Sequence, residues 1–142
     1  MAEKWGRVLL RTGAIVLILL GLSHILSLVE KPVPANDTEK QLMELTTGYK
    51  FNLAGSMRSF DNLFRGFSIS FILGMLVVGI SSLTLAGERT GVVRRLALIN
   101  TVWLTAMTVV SMHYFFILPT LFMVSALCPF VAAWLVLLRA SS

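Results

Sequence analysis

Five ionisable side chains stand out in an otherwise apolar chain: His24, Arg58, Asp61, Arg65 and His113. Three of them crowd into the stretch MRSFDNLFRGFSISFILGM (Met57 to Met75), which then runs on without a charge. If residues 58–65 are helical, the three side chains project within about 60° of one another. The i,i+3 and i,i+4 spacings then let Asp61 bridge both arginines. An arginine in the first turn opposes the helix dipole, which favours a helix that begins a turn or two before Arg65. The other arrangement makes Asp61 the helix cap and leaves Arg65 for a lipid phosphate. Each histidine lies near the end of an apolar run, about 7–8 Å inside its rim at the rise of an α-helix.

Three kinds of chemistry fit these residue types. In the first, the arginines contact lipid phosphates, Asp61 neutralises them and the histidines hydrogen-bond neighbouring helices. The second is a polar pocket for an amphipathic ligand such as a lipid, quinone or isoprenoid. The third is an enzyme site, with His24 or His113 as acid–base and Arg58 or Arg65 holding an anion. Two histidines at one depth also suit a metal or haem. Such a site asks for a third or fourth ligand, which only Asp61 or Glu30 supplies, so no metal ligands are assigned and no cofactor is named. No Asp or Glu lies deep in an apolar run, which argues against a proton-coupled transporter or pump subunit.

The elements that must position these residues follow from composition. Hydrophobic residues make up 56 % of the 142 and charged residues 13 %, and the mean hydropathy is +0.83. A soluble domain carries about 25 % charged residues, so this chain is expected to be an integral membrane protein. The net charge of +5 does not point to nucleic acid, because the basic residues sit at the ends of apolar runs and act as topology signals. The lone Cys128 forms no internal disulfide and reads as a small buried residue. There is no internal repeat.

A crossing takes about 20 apolar residues, and four segments qualify: about 8–29, 64–85, 96–118 and 120–138. The last two form one apolar stretch too long for a single crossing, and Pro119 is the expected break. Lys4, Arg7 and Arg11 resemble the basic start of a signal peptide, and Val33-Pro34-Ala35 a cleavage site. The apolar region exceeds the usual length of about 7–15 residues, however, and Lys31 and two prolines crowd the site, so the first segment is read as a retained span. With four crossings, Lys4, Arg7, Arg11, Arg89, Arg94, Arg95 and Arg139 share one side. On the other, Lys31, Lys40, Lys50, Arg58 and Arg65 are balanced by Glu30, Asp37, Glu39, Glu44 and Asp61. Both termini are therefore expected in the cytoplasm of a bacterium, with the loop 30–63 facing outward.

Within that loop Pro32 and Pro34 begin an extended segment, and Asn36 followed by Glu39 resembles a capping box. Leu42, Leu45 and Tyr49 continue at helical spacing, which predicts a short amphipathic helix from about Asp37 to Thr47. Helices in lipid associate by close approach of small residues. Gly66, Ser70 and Gly74 form one such face, expected to pack against Ala97, Thr101 and Thr105. Pro129 should bend the fourth span.

The His24 ending of the first span, the loop KPVPANDTEKQLMEL and the stretch SMRSFDNLFRGFSISFILGM come in an order that resembles a family of small, uncharacterised four-span bacterial membrane proteins. In size the chain is also similar to DoxX-like proteins and to the four-helix glutathione-using membrane enzymes. The latter place an Arg/Asn/Glu pattern in the second span. Here no glutamate follows Arg58 and Asn62, which sets that family aside. The expected fold is all-α: an integral membrane four-helix bundle, one transmembrane domain over residues 1–142, with a short amphipathic helix in the outward first loop. The expected role is a non-catalytic accessory subunit or ligand-associated protein of a larger membrane complex, with membrane lipids and other membrane subunits as partners. The alternative is a small integral-membrane enzyme, or a lipid- or quinone-binding protein with a polar pocket near the outer leaflet.

Overall fold

The computed structural model describes residues 1–30 and 32–140; Lys31, counted above with the outward charges, lies outside them. The chain is all-α apart from one short hairpin. In order it forms α1 (Ala2–Val29), α2 (Asp37–Gly48), β1 (Phe51–Leu53), β2 (Ser56–Arg58), α3 (Phe60–Leu85), α4 (Thr90–Tyr114) and α5 (Ile117–Arg139). Among the described residues, α1, α3, α4 and α5 are each long and apolar enough to cross a membrane. Only 28, 22, 28 and 28 % of their most apolar windows are buried within the protein, so most of each helix is left to face lipid. The protein is a small multi-pass membrane protein.

Two boundaries differ from expectation. The helix break comes at Phe115 and Phe116, both in extended conformation, rather than at Pro119. Pro119 falls in the first turn of α5, where backbone N–H groups have no intrahelical acceptor, so a missing donor costs nothing. Residues 51–58 form an antiparallel hairpin pairing Phe51 with Arg58, Asn52 with Met57 and Leu53 with Ser56. Ala54 and Gly55 make its turn with positive φ of 48° and 87°, the geometry of a type I′ connection. A left-handed alanine costs about 1–2 kcal/mol. The Asn52 side chain offsets part of this by accepting the Gly55 N–H at 2.8 Å.

The chain divides into two compact units, Met1–Gly21 with Met75–Ser142, and Leu22–Gly74. The first unit is a ring of four helix neighbours. In α1, Gly6 lies against Leu137 and Gly13 against Phe130, both of α5. Gly79 of α3 lies against Ile18 and the Ala14 carbonyl of α1. Asn100 of α4 donates to Ser82 Oγ of α3 at 2.8 Å, and α4 packs along α5. Each helix buries residues at alternating three- and four-residue steps: 6, 10, 13, 17 in α1; 75, 79, 82 in α3 with 86 just past its end; 93, 97, 100, 104 in α4; 123, 126, 130, 133, 137 in α5. Alternating steps of three and four residues keep the buried positions on one stripe, or seam, of each helix, a spacing compatible with a four-helix bundle.

Three chain segments meet at one end of this unit. Arg7 Nη1 donates to the carbonyls of Ala86 (2.8 Å) and Glu88 (2.6 Å), tying α1 to the α3–α4 turn. A cation there answers the orphan carbonyls and negative dipole at the C-terminus of α3. Leu137, near the end of α5, lies beside Gly6.

The second unit, residues 22–74, is built on capped helix starts. Asn36 Oδ1 accepts the Glu39 N–H at 2.9 Å, and Glu39 Oε2 accepts the Ala35 N–H at 2.7 Å. Asn36 caps α2 as expected, but the Glu39 carboxylate reaches the N–H of Ala35 rather than that of the cap residue itself, so the reciprocal half of the box is displaced by one residue. Leu42, Leu45 and Tyr49 remain mostly exposed.

Small residues pack, but not those expected of α3. A Cβ at Gly66 or Gly74 would meet no described heavy atom within 4 Å, whereas one at Gly79 would come within 2.6 Å of Ile18 and 3.0 Å of the Ala14 carbonyl oxygen. In α4, Ala97, Thr101 and Thr108 are buried and Thr105 is exposed. The steps from 66 to 74 are all of four residues and drift around the helix, so they leave the 72–86 seam. Gly79→Ala is expected to destabilise the protein by about 1–3 kcal/mol through forced overpacking. Gly66→Ala should leave stability unchanged or raise it by up to about 1 kcal/mol through helix propensity. Thermal unfolding in mild detergent compares the two, and equal losses would overturn this packing assignment.

Candidate functional site

The start of α3 is set by a second reciprocal cap. Ser59 Oγ accepts the Asn62 N–H at 3.2 Å, and Asn62 Oδ1 accepts the Ser59 N–H at 3.3 Å. Ser59 is 3 % exposed. It takes the capping role that one sequence reading gave to Asp61, and Asp61 falls inside the first turn, where a negative charge suits the dipole. The helix therefore begins before Arg65, as the dipole argument requires.

Of the charged triad, two members meet. Arg65 Nε donates to Asp61 Oδ2 at 2.8 Å, with the side chains 59 % and 34 % exposed. An exposed i,i+4 pair of this kind is worth about 0.3–0.5 kcal/mol. Arg58 does not extend the helix. It ends β2, and its Nη1 donates to the neighbouring Met57 carbonyl at 3.1 Å. Asp61 consequently balances one arginine rather than two.

The histidines fall in different units. His24, half-buried in the 22–74 unit, sets its ring edge-on to Phe71 at a centroid distance of 5.1 Å and 64°, an apolar packing contact between α1 and α3. His113 is exposed in the last turn of α4, with Nδ1 3.2 Å from its own helix's Val109 carbonyl and its ring beside Tyr114. Among the described residues no three or more His, Cys, Asp or Glu side chains gather.

Two grooves open on the 22–74 unit. One, of about 360 Å³, lies between α2 and the start of α3 and is lined by Leu42, Leu45, Thr46, Tyr49 and Phe60. Phe60 also meets Phe51 at a centroid distance of 4.9 Å with the rings tilted by 43°, a contact that docks the hairpin against α3. The larger groove, of about 400 Å³, runs along α3 and is lined by Arg58, Asn62, Leu63, Gly66, Phe67 and Ser70. Gly66 forms its floor because nothing projects there. Arg58 closes one end because the hairpin returns the chain to that point. Of the five residues singled out from the sequence, Arg58 alone lines this groove. A cationic end above an apolar trough suits an amphipathic molecule.

Sequence reasoning overlooked several structural residues. Asn62 was weighed only as part of an Arg/Asn/Glu pattern, although Ser followed three residues later by an amide acceptor is a capping signal. Asn100 is a carboxamide inside a span and had to find a partner, which is Ser82. Arg7 counted only as a topology signal. Cys128, expected to be buried, is exposed on α5, where the three- and four-residue seam passes over it.

Loss of the Ser59 cap should matter more than loss of the ion pair. Ser59→Ala is expected to cost about 0.5–2 kcal/mol, and Asp61→Asn less than about 0.5 kcal/mol. Hydrogen exchange of the amides of residues 60–66 reads both, and a larger effect from Asp61→Asn would contradict the cap assignment. Comparison of the chain with protein-family models, with curated proteins and with solved structures finds no match to any of them.

Proposed function

We propose that this protein is a non-catalytic, ligand-associated component of the bacterial inner membrane, serving a larger membrane complex by holding an amphipathic molecule against α3. The observation that carries this reading is the groove of about 400 Å³ with Arg58 at one end and Gly66 as its floor. Its volume falls within the range of small-molecule sites, about 300–1,000 Å³. The residues that acid–base chemistry would need are engaged elsewhere. Asp61 is paired with Arg65, His24 packs on Phe71, and His113 belongs to the other unit.

Orientation follows from charge. The N-terminal turn of α1, the α3–α4 turn and the end of α5 lie together and carry most of the basic residues. By the positive-inside rule that end is cytoplasmic. The α2 helix, the hairpin and the mouth of the groove then face the periplasm. The likeness in order of features to small four-span bacterial membrane proteins supports the same membrane.

Two measurements test this reading. In a Cys128→Ser background, a cysteine at Asp37 should react with a membrane-impermeant maleimide in intact spheroplasts, and one at Glu88 only after lysis. The opposite pattern would invert the topology. Native mass spectrometry from mild detergent should find one amphipathic molecule retained per chain, with retention reduced severalfold by Gly66→Leu, which fills the groove. A bare wild-type chain, or undiminished retention in the variant, would remove the ligand-associated reading.

A further inference from the structure

Resting on the groove reading above, we propose that the molecule held on α3 is an anionic phospholipid, with its phosphate on Arg58 and an acyl chain laid over Gly66 and Ser70. Two features contributed by different elements lead to this. The first is the trough on α3. Between Asn62 and Ser70, about 12 Å of helix at 1.5 Å per residue, the floor is a glycine beside which a Cβ would meet no described heavy atom within 4 Å. Leu63 and Phe67, one helical turn apart, line it along one side. A hydrocarbon chain lying along this face contacts apolar side chains and meets no charge.

The second feature is Arg58, delivered by β2. Among the described residues its hydrogen bond is the one from Nη1 to the Met57 carbonyl, and no carboxylate of those residues pairs with it. The contrast with Arg65 is instructive: that guanidinium already holds Asp61 at 2.8 Å. The groove lining contains no acidic residue, and its other polar members, Asn62 and Ser70, carry N–H and O–H donors. Every polar group presented there is thus cationic or able to donate. Guanidinium forks bind phosphate oxygens in bidentate fashion. The phosphatidylcholine head group brings an ammonium for which the groove lining holds no carboxylate, and the phosphatidylglycerol head group brings none.

The apolar trough commits the site to a lipid rather than to free phosphate. A soluble phosphate ester would engage Arg58 alone and leave the trough unfilled. The outward-balanced charge of residues 22–74 gives no general attraction for anions, so the preference must come from Arg58 locally. One basic side chain near a membrane surface accounts for about a fivefold preference.

The experiment uses the full chain in mild detergent, titrated with phosphatidylglycerol and with phosphatidylcholine and read by native mass spectrometry. Wild type should retain phosphatidylglycerol about fivefold better. Arg58→Gln should bring the two lipids to parity while still binding both, Arg58→Lys should keep a preference, and Arg65→Gln should leave it at the wild-type value. Glycerol 3-phosphate should not displace the bound lipid. Equal retention of both lipids by wild type, or a preference undiminished in Arg58→Gln, would overturn the anionic assignment and leave the groove reading standing. Displacement by glycerol 3-phosphate would overturn the lipid assignment in favour of a soluble phosphate. Gly66→Leu separates the two levels: it should reduce retention of both lipids severalfold, and if it binds both as wild type does, the groove reading fails with the inference.

Discussion

Inside a bilayer no water is present to satisfy a polar group, and the rest of this structure depends on that constraint. Among the described residues no buried side-chain nitrogen or oxygen lacks a partner. The hydroxyls of Thr101, Thr105 and Thr108 return to the carbonyls of Ala97, Thr101 and Leu104, each at 2.8 Å. The one buried carboxamide, Asn100, reaches across to Ser82. Charges are kept to helix ends, where Arg7 closes the α3–α4 turn and Asp61 sits in the first turn of α3. With polar groups satisfied so locally, helix association is left to close packing, and glycine and alanine occupy the seam.

That division of labour makes α3 unequal along its length. Its second half contributes Met75, Gly79 and Ser82 to the seam, which Ala86 continues just past the helix end. In its first half Gly66 and Ser70 are exposed and floor a groove. The hairpin gives the groove a polar end. Because the Ala54–Gly55 turn reverses the chain within two residues, β2 ends at Arg58, beside the start of α3, and the Ser59–Asn62 cap fixes the point at which the helix takes over. A strained turn, a cap and a missing side chain together place a guanidinium above an apolar trough.

Much of this was legible in the sequence. Four apolar runs gave four helices, because hydrocarbon thickness leaves little freedom in their length. The Asn36–Glu39 box located α2 to within a residue, since capping is a local interaction. The hairpin was missed because Ala-Gly is a poor type I′ signal, adopted here at a conformational cost that Asn52 reduces. The arrangement in which residues 58–65 are all helical fails at Arg58 for that reason. The Gly66–Ser70–Gly74 face was read as a packing face because small residues at four-residue steps look alike whether or not a neighbour covers them. Only the register of the 72–86 seam distinguishes the two cases, and that register is fixed by the other helices. His24, Asp61 and Arg65 do lie with Arg58 in one unit, whereas His113 belongs to the other, and each side chain's partner is a property of the folded chain.

The most direct measurement of which face of α3 is open is oxygen accessibility along the helix by nitroxide scanning in lipid bilayers, from residue 62 to residue 86. With Gly79 and Ser82 buried and Gly66 and Ser70 exposed, the expected pattern is high accessibility at Gly66 and Ser70 and low accessibility at Gly79 and Ser82. Low accessibility at Gly66 and Ser70, with a maximum at Gly79 or Ser82, would contradict it.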